Sequence, residues 1–136
     1  MILVDTSSWV EFDRKTGSPA HLRVRDLLPE RTELAVTDPV IAEVLMGARN
    51  EEREAALRRF MAGFCQLPFQ TPGDFDGAVS IYRKCRANSI TPRGLIDCMI
   101  ASVAIRNDVP VLSHDKDMAR IASVTSMKLD GASLQP

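Results

Sequence analysis

Four carboxylates stand out by the residues around them. Asp5 ends the apolar run Met1–Val4, and Asp115 lies just beyond a second one, Val109–Leu112. Glu43 interrupts Val40-Ile41-Ala42-Glu43-Val44-Leu45-Met46, and Asp97 interrupts Leu95-Ile96-Asp97-Cys98-Met99-Ile100-Ala101. An ionised carboxylate in such surroundings is costly unless a cation or hydrogen-bond donors meet it. No Lys or Arg lies within four residues of Glu43, so no ion pair along one helix face can serve it. Arg93 precedes Asp97 by four residues, which leaves a local pair open there. A divalent cation would meet both demands. Carboxylates gathered without histidines or thiols form a hard oxygen site suited to Mg²⁺ or Mn²⁺ rather than zinc. Such an ion polarises a phosphodiester, lowers the pKa of an attacking water and stabilises the leaving oxygen.

Each acid also has a bland reading. Asp5, followed by Thr6 and Ser7, could cap a helix beginning near Ser8. Asp115 could be a turn or cap residue. Glu43 and Asp97 could be satisfied within a core. The conjunction weighs more than any member, because two strand-end acids and two acids on apolar helices rarely coincide for structural reasons.

The elements that must position these acids follow from hydrophobic periodicity. Strands are expected at Met1–Val4, Leu34–Val36, Cys65–Phe69, Val109–Leu112 and Val124–Leu129. Helices are expected over Val40–Arg49, Glu51–Phe64, Asp74–Asn88, Leu95–Arg106 and Asp117–Ser123. Thr37-Asp38-Pro39 reads as a helix start, with Asp38 as the cap and Pro39 as the first helical residue. Short apolar strands alternating with longer helices specify an α/β fold with a parallel sheet covered on both faces. In such sheets ligands sit beyond the carboxyl ends of the strands.

The chain has 136 residues, 45% apolar and 26% charged, with no linker or repeat, which makes residues 1–136 a single domain. Seventeen Lys plus Arg against eighteen Asp plus Glu leave a formal charge of −1, too small to draw in a polyanion by bulk field. Phosphate contacts would need a local basic surface, for which Arg49, Arg53, Arg58, Arg59, Arg83, Lys84 and Arg86 are candidates. No apolar stretch has membrane-spanning length, so no membrane association is expected. MILVDTSSWV has no cationic leader, so no secretory signal is expected either. Cys65, Cys85 and Cys98 are odd in number and lack C-x-x-C spacing, which fits a reducing cytoplasmic setting. Val44, Leu45, Leu57, Phe60, Met61 and Phe64 supply either core or a groove for an amphipathic partner helix.

Asp5-Thr6-Ser7, Glu43-Val44-Leu45-Met46-Gly47, Asp97-Cys98-Met99-Ile100-Ala101-Ser102 and Ser113-His114-Asp115-Lys116-Asp117 occur in that order. The set resembles the PIN-domain ribonucleases, specifically the VapC toxins of toxin–antitoxin pairs, over almost the whole chain. The resemblance implies a three-layer α/β/α fold with a central parallel sheet, and RNA cleavage dependent on Mg²⁺ or Mn²⁺. Carried over position by position, it makes Asp5, Glu43, Asp97 and Asp115 the acidic catalytic and metal site. Asp5 and Asp97 would be the main metal ligands, with Glu43 and Asp115 completing the cluster and orienting water. Thr6 or Ser7 would hydrogen-bond the acids or a phosphate, and Asp117 would be an extra member. The resemblance further implies a VapB-like antitoxin docked over the site, and a homodimer or toxin–antitoxin hetero-oligomer. One departure is Met118, where the family often has an aromatic residue. Three alternatives stay open: a PIN nuclease of RNA processing or DNA repair with no toxin role, a catalytically dead PIN domain kept for protein binding, and a phospho-accepting receiver domain. A receiver wants an acidic pair after the first strand and a late Lys-Pro, whereas this chain has Asp5 alone and Lys116-Asp117.

Overall fold

The computed structural model describes residues 1–136. Four short strands, β1 (Ile2–Val4), β2 (Leu34–Val36), β3 (Cys65–Gln66) and β4 (Val111–Leu112), form one parallel sheet in the order β3-β2-β1-β4. Seven helices surround it: α1 (Thr6–Asp13), α2 (Pro19–Leu27), α3 (Asp38–Met46), α4 (Glu51–Ala62), α5 (Gly73–Ala87), α6 (Leu95–Asn107) and α7 (Lys116–Val124). Every residue of β1, β2 and β4 is buried, as continuous apolar strands covered on both faces must be. The helices fall into two groups, α1 to α4 and α5 to α7, and the groups meet where α3 packs on α6. That contact matters here, because α3 carries Glu43 and α6 carries Asp97.

Two constraints hold α6 in place. A Cβ at Gly77 on α5 would overlap Ser102 Oγ on α6, so glycine permits the close approach of the two helices. Arg106 then clamps their ends, reaching both carboxylate oxygens of buried Asp74 at 2.8 and 2.9 Å and the Pro68 carbonyl at 2.8 Å.

Several expectations need correction. No strand forms over Val124–Leu129: α7 runs through Val124, and Leu129 makes only an isolated parallel bridge to Val111. Thr125 turns the chain instead, its hydroxyl donating to Ile121 O and accepting from Met127 N. The third strand is Cys65–Gln66 rather than Cys65–Phe69; Pro68 has no N–H to continue a ladder. Thr37, not Asp38, precedes α3 as its cap residue, and the Asp38 carboxylate accepts from Phe69 N at 2.7 Å. Helix α2 was not expected. Ser18 caps it and Pro19 opens it, but it buries only Ala20 and Val24, too few for a periodic signal. Met118, at the family's aromatic position, is fully buried within α7.

Candidate active site

The strand order reverses direction between β1 and β4, since β2 and β3 lie on one side of β1 and β4 on the other. A crevice opens beyond the carboxyl ends of the strands at such a point. Register Val4↔Leu112 sets Asp5 beside Ser113 there, with Asp5 N donating to Leu112 O at 2.9 Å. Asp5 is the N-cap of α1, so the capping role and the site role fall on one residue. Its Oδ1 accepts from Thr6 N, and its Oδ2 accepts from both Ser7 Oγ and Ser113 Oγ, all at 2.8 Å. Those hydroxyls are themselves aimed by backbone donors, His114 N to Ser7 Oγ at 2.9 Å and Asp115 N to Ser113 Oγ at 3.2 Å. Burial raises the Asp5 pKa, the three hydrogen bonds pull it back, and Glu43 pushes it up again, with burial winning.

Glu43 lies in the second turn of α3, where Thr6 Oγ1 donates to its Oε1 at 2.6 Å. Thr6 and Ser7 thus both hydrogen-bond acids, one of the two roles expected of them. Asp97 is in the first turn of α6, half-buried, and no donor in the protein hydrogen-bonds its carboxyl. Burial first, then the charges of Asp5 and Asp115, push its pKa up to about 7 against the pull of Arg93. The Arg93–Asp97 pair left open by spacing does not form. Arg93 instead pairs with Asp115 Oδ2 and with Asp117 Oδ2. Asp115 is the N-cap of α7, its Oδ1 accepting from Asp117 N at 2.9 Å.

Asp5, Glu43, Asp97 and Asp115 all wall one pocket of about 300 Å³, together with Thr6, Ser7, Arg93 and His114. Asp117 stands outside that wall, holding Arg93 and Arg120. The sequence does not single out Ser113 and His114 as site residues, and it leaves open a partner for Arg93 that the structure places elsewhere. Ser113 was legible only as the residue directly after a strand, in the place Asp5 takes after β1.

The donor set fits a hard divalent cation. Its four carboxylates supply oxygen alone, and Asp97 has neither hydrogen bond nor ion pair to offset its charge. No three acidic, histidine or cysteine side chains converge on one ligating point here; Ser7, Ser113, Thr6 and Arg93 hold Asp5, Glu43 and Asp115 individually, and Asp97 is unheld.

Beside the pocket runs a groove of about 500 Å³ between α1, α3 and α4, sharing Thr6, Val10 and Glu43 with it. Of the six apolar residues that could form either core or a groove, Val44, Leu57 and Phe60 line this one, Met61 and Phe64 are buried in the core, and Leu45 faces a separate shallow pocket. Buried Trp9 Nε1, in the groove wall, has no hydrogen-bond partner.

The PIN-domain family model matches residues 2–124. The chain is a PIN domain of the VapC family. It is similar to a VapC ribonuclease of Mycobacterium bovis and to ribonuclease VapC11 of Mycobacterium tuberculosis. Each is 39% identical over 129 residues, which cover 94% of this chain and 96% of the relative. Among solved structures, VapBC2 from Rickettsia felis bound to a promoter DNA fragment matches with a TM-score of 0.73 at 17% identity. DNA-bound VapBC from Salmonella typhimurium matches at 0.72 with 19% identity, and both alignments cover 96% of this chain and 98% of the other. These likenesses show the three-layer α/β/α fold of the PIN domain. The receiver alternative is thereby set aside. No helix of this PIN domain is long and apolar enough to cross a membrane.

Proposed function

We propose that this VapC-family PIN domain is a divalent-metal-dependent endoribonuclease, the toxin of a VapBC-type toxin–antitoxin pair. The observation that carries the reading is Asp97, a carboxyl with no hydrogen-bond donor that shares a pocket with Asp5, Glu43 and Asp115. The RNA substrate is supported by relatives named ribonucleases that match nearly the whole chain.

In this reading Asp5 and Asp97 hold the cation, and Glu43 and Asp115 complete the cluster. Mg²⁺ or Mn²⁺ bound there supplies the charge that activates water and stabilises the phosphodiester's leaving oxygen. Ser7 and Ser113 fix the direction of the Asp5 lone pairs and favour its charged form. Thr6 holds Glu43 toward the pocket. No single side chain needs to serve as a dedicated general base.

The groove beside the pocket is the surface for a VapB-like antitoxin. Its apolar wall suits an amphipathic segment, and its rim joins the pocket at Thr6 and Glu43, so an occupant would cover the acids. Solved structures that share this fold are VapBC assemblies, and one from Klebsiella pneumoniae is a toxin–antitoxin complex. A homodimer or hetero-oligomer, working in the cytoplasm where RNA and reduced thiols coexist, completes the reading. Induced expression in a bacterial host tests it. Growth arrest with RNA fragmentation is expected for the wild type and absent for Asp97→Asn; arrest with intact RNA, or arrest by both proteins, would contradict it.

A further inference from the structure

Arg93 is the only arginine or lysine in the wall of a pocket otherwise dominated by carboxylates. It precedes α6, and its side chain is 69% exposed. Two nitrogens of its guanidinium are held by different carboxylates. Nη2 pairs with Asp115 Oδ2 inside the pocket, while Nε pairs at 2.5 Å with Asp117 Oδ2 outside it. Asp117 is itself fixed, because its Oδ1 takes Arg120 at 2.8 Å and its backbone N–H donates to Asp115 Oδ1 at 2.9 Å. Nε is therefore anchored on a carboxylate that does not line the pocket, and Nη2 occupies an oxygen that a cation would need.

We propose that Arg93 is an exchangeable counter-ion. It neutralises Asp115 until a divalent cation takes that carboxylate, then pivots about its Nε–Asp117 contact to present the freed Nη2, with Nη1, to an RNA phosphate. The inference rests on the proposed metal-dependent ribonuclease and names the residue that couples cation binding to RNA binding. A guanidinium stays charged at all relevant pH and matches phosphate oxygens with two parallel donors. A phosphate approaching Asp5, Glu43, Asp97 and Asp115 meets repulsion, and the net charge of −1 offers no long-range attraction to offset it. Arg93 is thus the positioning residue through which the cation's arrival becomes attraction for RNA. Asp117 acts through it, which accounts for an acid close to the site yet outside the pocket.

The test uses the whole protein with Arg93→Gln and Arg93→Lys, both checked for an unchanged circular dichroism spectrum. Calorimetric titration with Mn²⁺ alone is expected to show binding roughly tenfold tighter in Arg93→Gln, because a competing unit charge is gone. Arg93→Lys keeps that charge and should stay near wild type. A labelled single-stranded RNA of mixed sequence is then titrated at several salt concentrations, with Ca²⁺ or with chelator. The wild-type slope of log affinity against log salt should exceed that of Arg93→Gln by about 0.7 in Ca²⁺ and by nearly nothing in chelator. Unchanged or weakened Mn²⁺ binding in Arg93→Gln would overturn the inference, and so would equal slopes in Ca²⁺ or the same difference in both conditions. A wild type that neither binds Mn²⁺ nor cuts RNA would remove the proposed function as well. A wild type that does both beside an indistinguishable Arg93→Gln would remove this inference alone.

Discussion

Ser113 Oγ donates to Asp5 Oδ2 at 2.8 Å across 108 residues of sequence, while accepting from Asp115 N. The link exists because the β1–β4 register places both residues just past the ends of neighbouring strands. Ser113 therefore ties the cap of α1 to the cap of α7. Ser113→Ala leaves buried Asp5 short of a donor and Asp115 N without its acceptor. A stability loss of about 1–3 kcal/mol is expected by urea denaturation, with Ser113→Thr closer to wild type. A loss below a few tenths would show that the hydroxyl is dispensable.

Asp5 itself shows how a structural role and a proposed chemical role can coincide. The sequence offers a helix cap as one reading of Asp5, and the structure shows that cap together with two serine hydroxyls held by the same carboxylate. Alanine removes the α1 cap, worth about 1 kcal/mol, and leaves the hydroxyl donors of Ser7 and Ser113 unpaired. Asp5→Asn keeps an oxygen for Thr6 N and removes a buried charge, so it should melt near wild type while losing RNA cleavage. Thermal melts of both variants beside a cleavage assay decide the point; an Asp5→Ala protein as stable as wild type would contradict it.

The pH response of Asp97 follows from its environment. Its folded pKa, about 7, lies above its ordinary value of 3.8. The folded state therefore binds the proton more tightly than the unfolded state. Near pH 4 and below the carboxyl is no burden; the burden grows as pH rises toward 7 and is constant above it. Three units would amount to about 4 kcal/mol, of which solvent screening of a half-buried group leaves about 1–2 kcal/mol. In chelator at pH 8, Asp97→Asn should thus melt several degrees above wild type, the two converging near pH 4. Mn²⁺ at pH 8 should raise the wild-type melting point more than that of the variant. A wild type more stable than Asp97→Asn in chelator at pH 8 would refute the assigned burden.

The groove between α1, α3 and α4 yields a prediction about inhibition. Leu57 lines it away from the acidic pocket. Leu57→Glu should weaken binding of the cognate antitoxin by at least about tenfold and so resist its inhibition, with RNA cleavage retained. Equal inhibition of wild type and variant in a titrated cleavage assay would place the antitoxin elsewhere.

Much of this arrangement is visible in the sequence, for physical reasons that also mark where reading stops. Asp5 and Asp115 show because a charged residue directly after an apolar run signals a strand end. Glu43 and Asp97 show because they break otherwise apolar helices. All four line one pocket, and the parallel α/β sheet follows from the alternation of short strands and longer helices. Ser113 escaped because its role depends on the β1–β4 register, which no local pattern encodes. Helical spacing leaves an Arg93–Asp97 pair open, but Arg93 lies before α6 begins, where that spacing does not apply, and turns to the start of α7 instead. Val124–Leu129 looked like a strand because apolar residues that finish a helix and cover a sheet edge resemble one in composition. Met127 does enter the core, without joining the sheet.

The central claim is metal-dependent cleavage of RNA at the pocket of Asp5, Glu43, Asp97 and Asp115. Its most direct test is incubation of total RNA with the purified protein in Mg²⁺, in Mn²⁺ and in chelator, beside Asp97→Asn. Defined fragments that require the cation and vanish in Asp97→Asn are the predicted result. Fragments that persist in chelator, or that Asp97→Asn produces equally well, would contradict it.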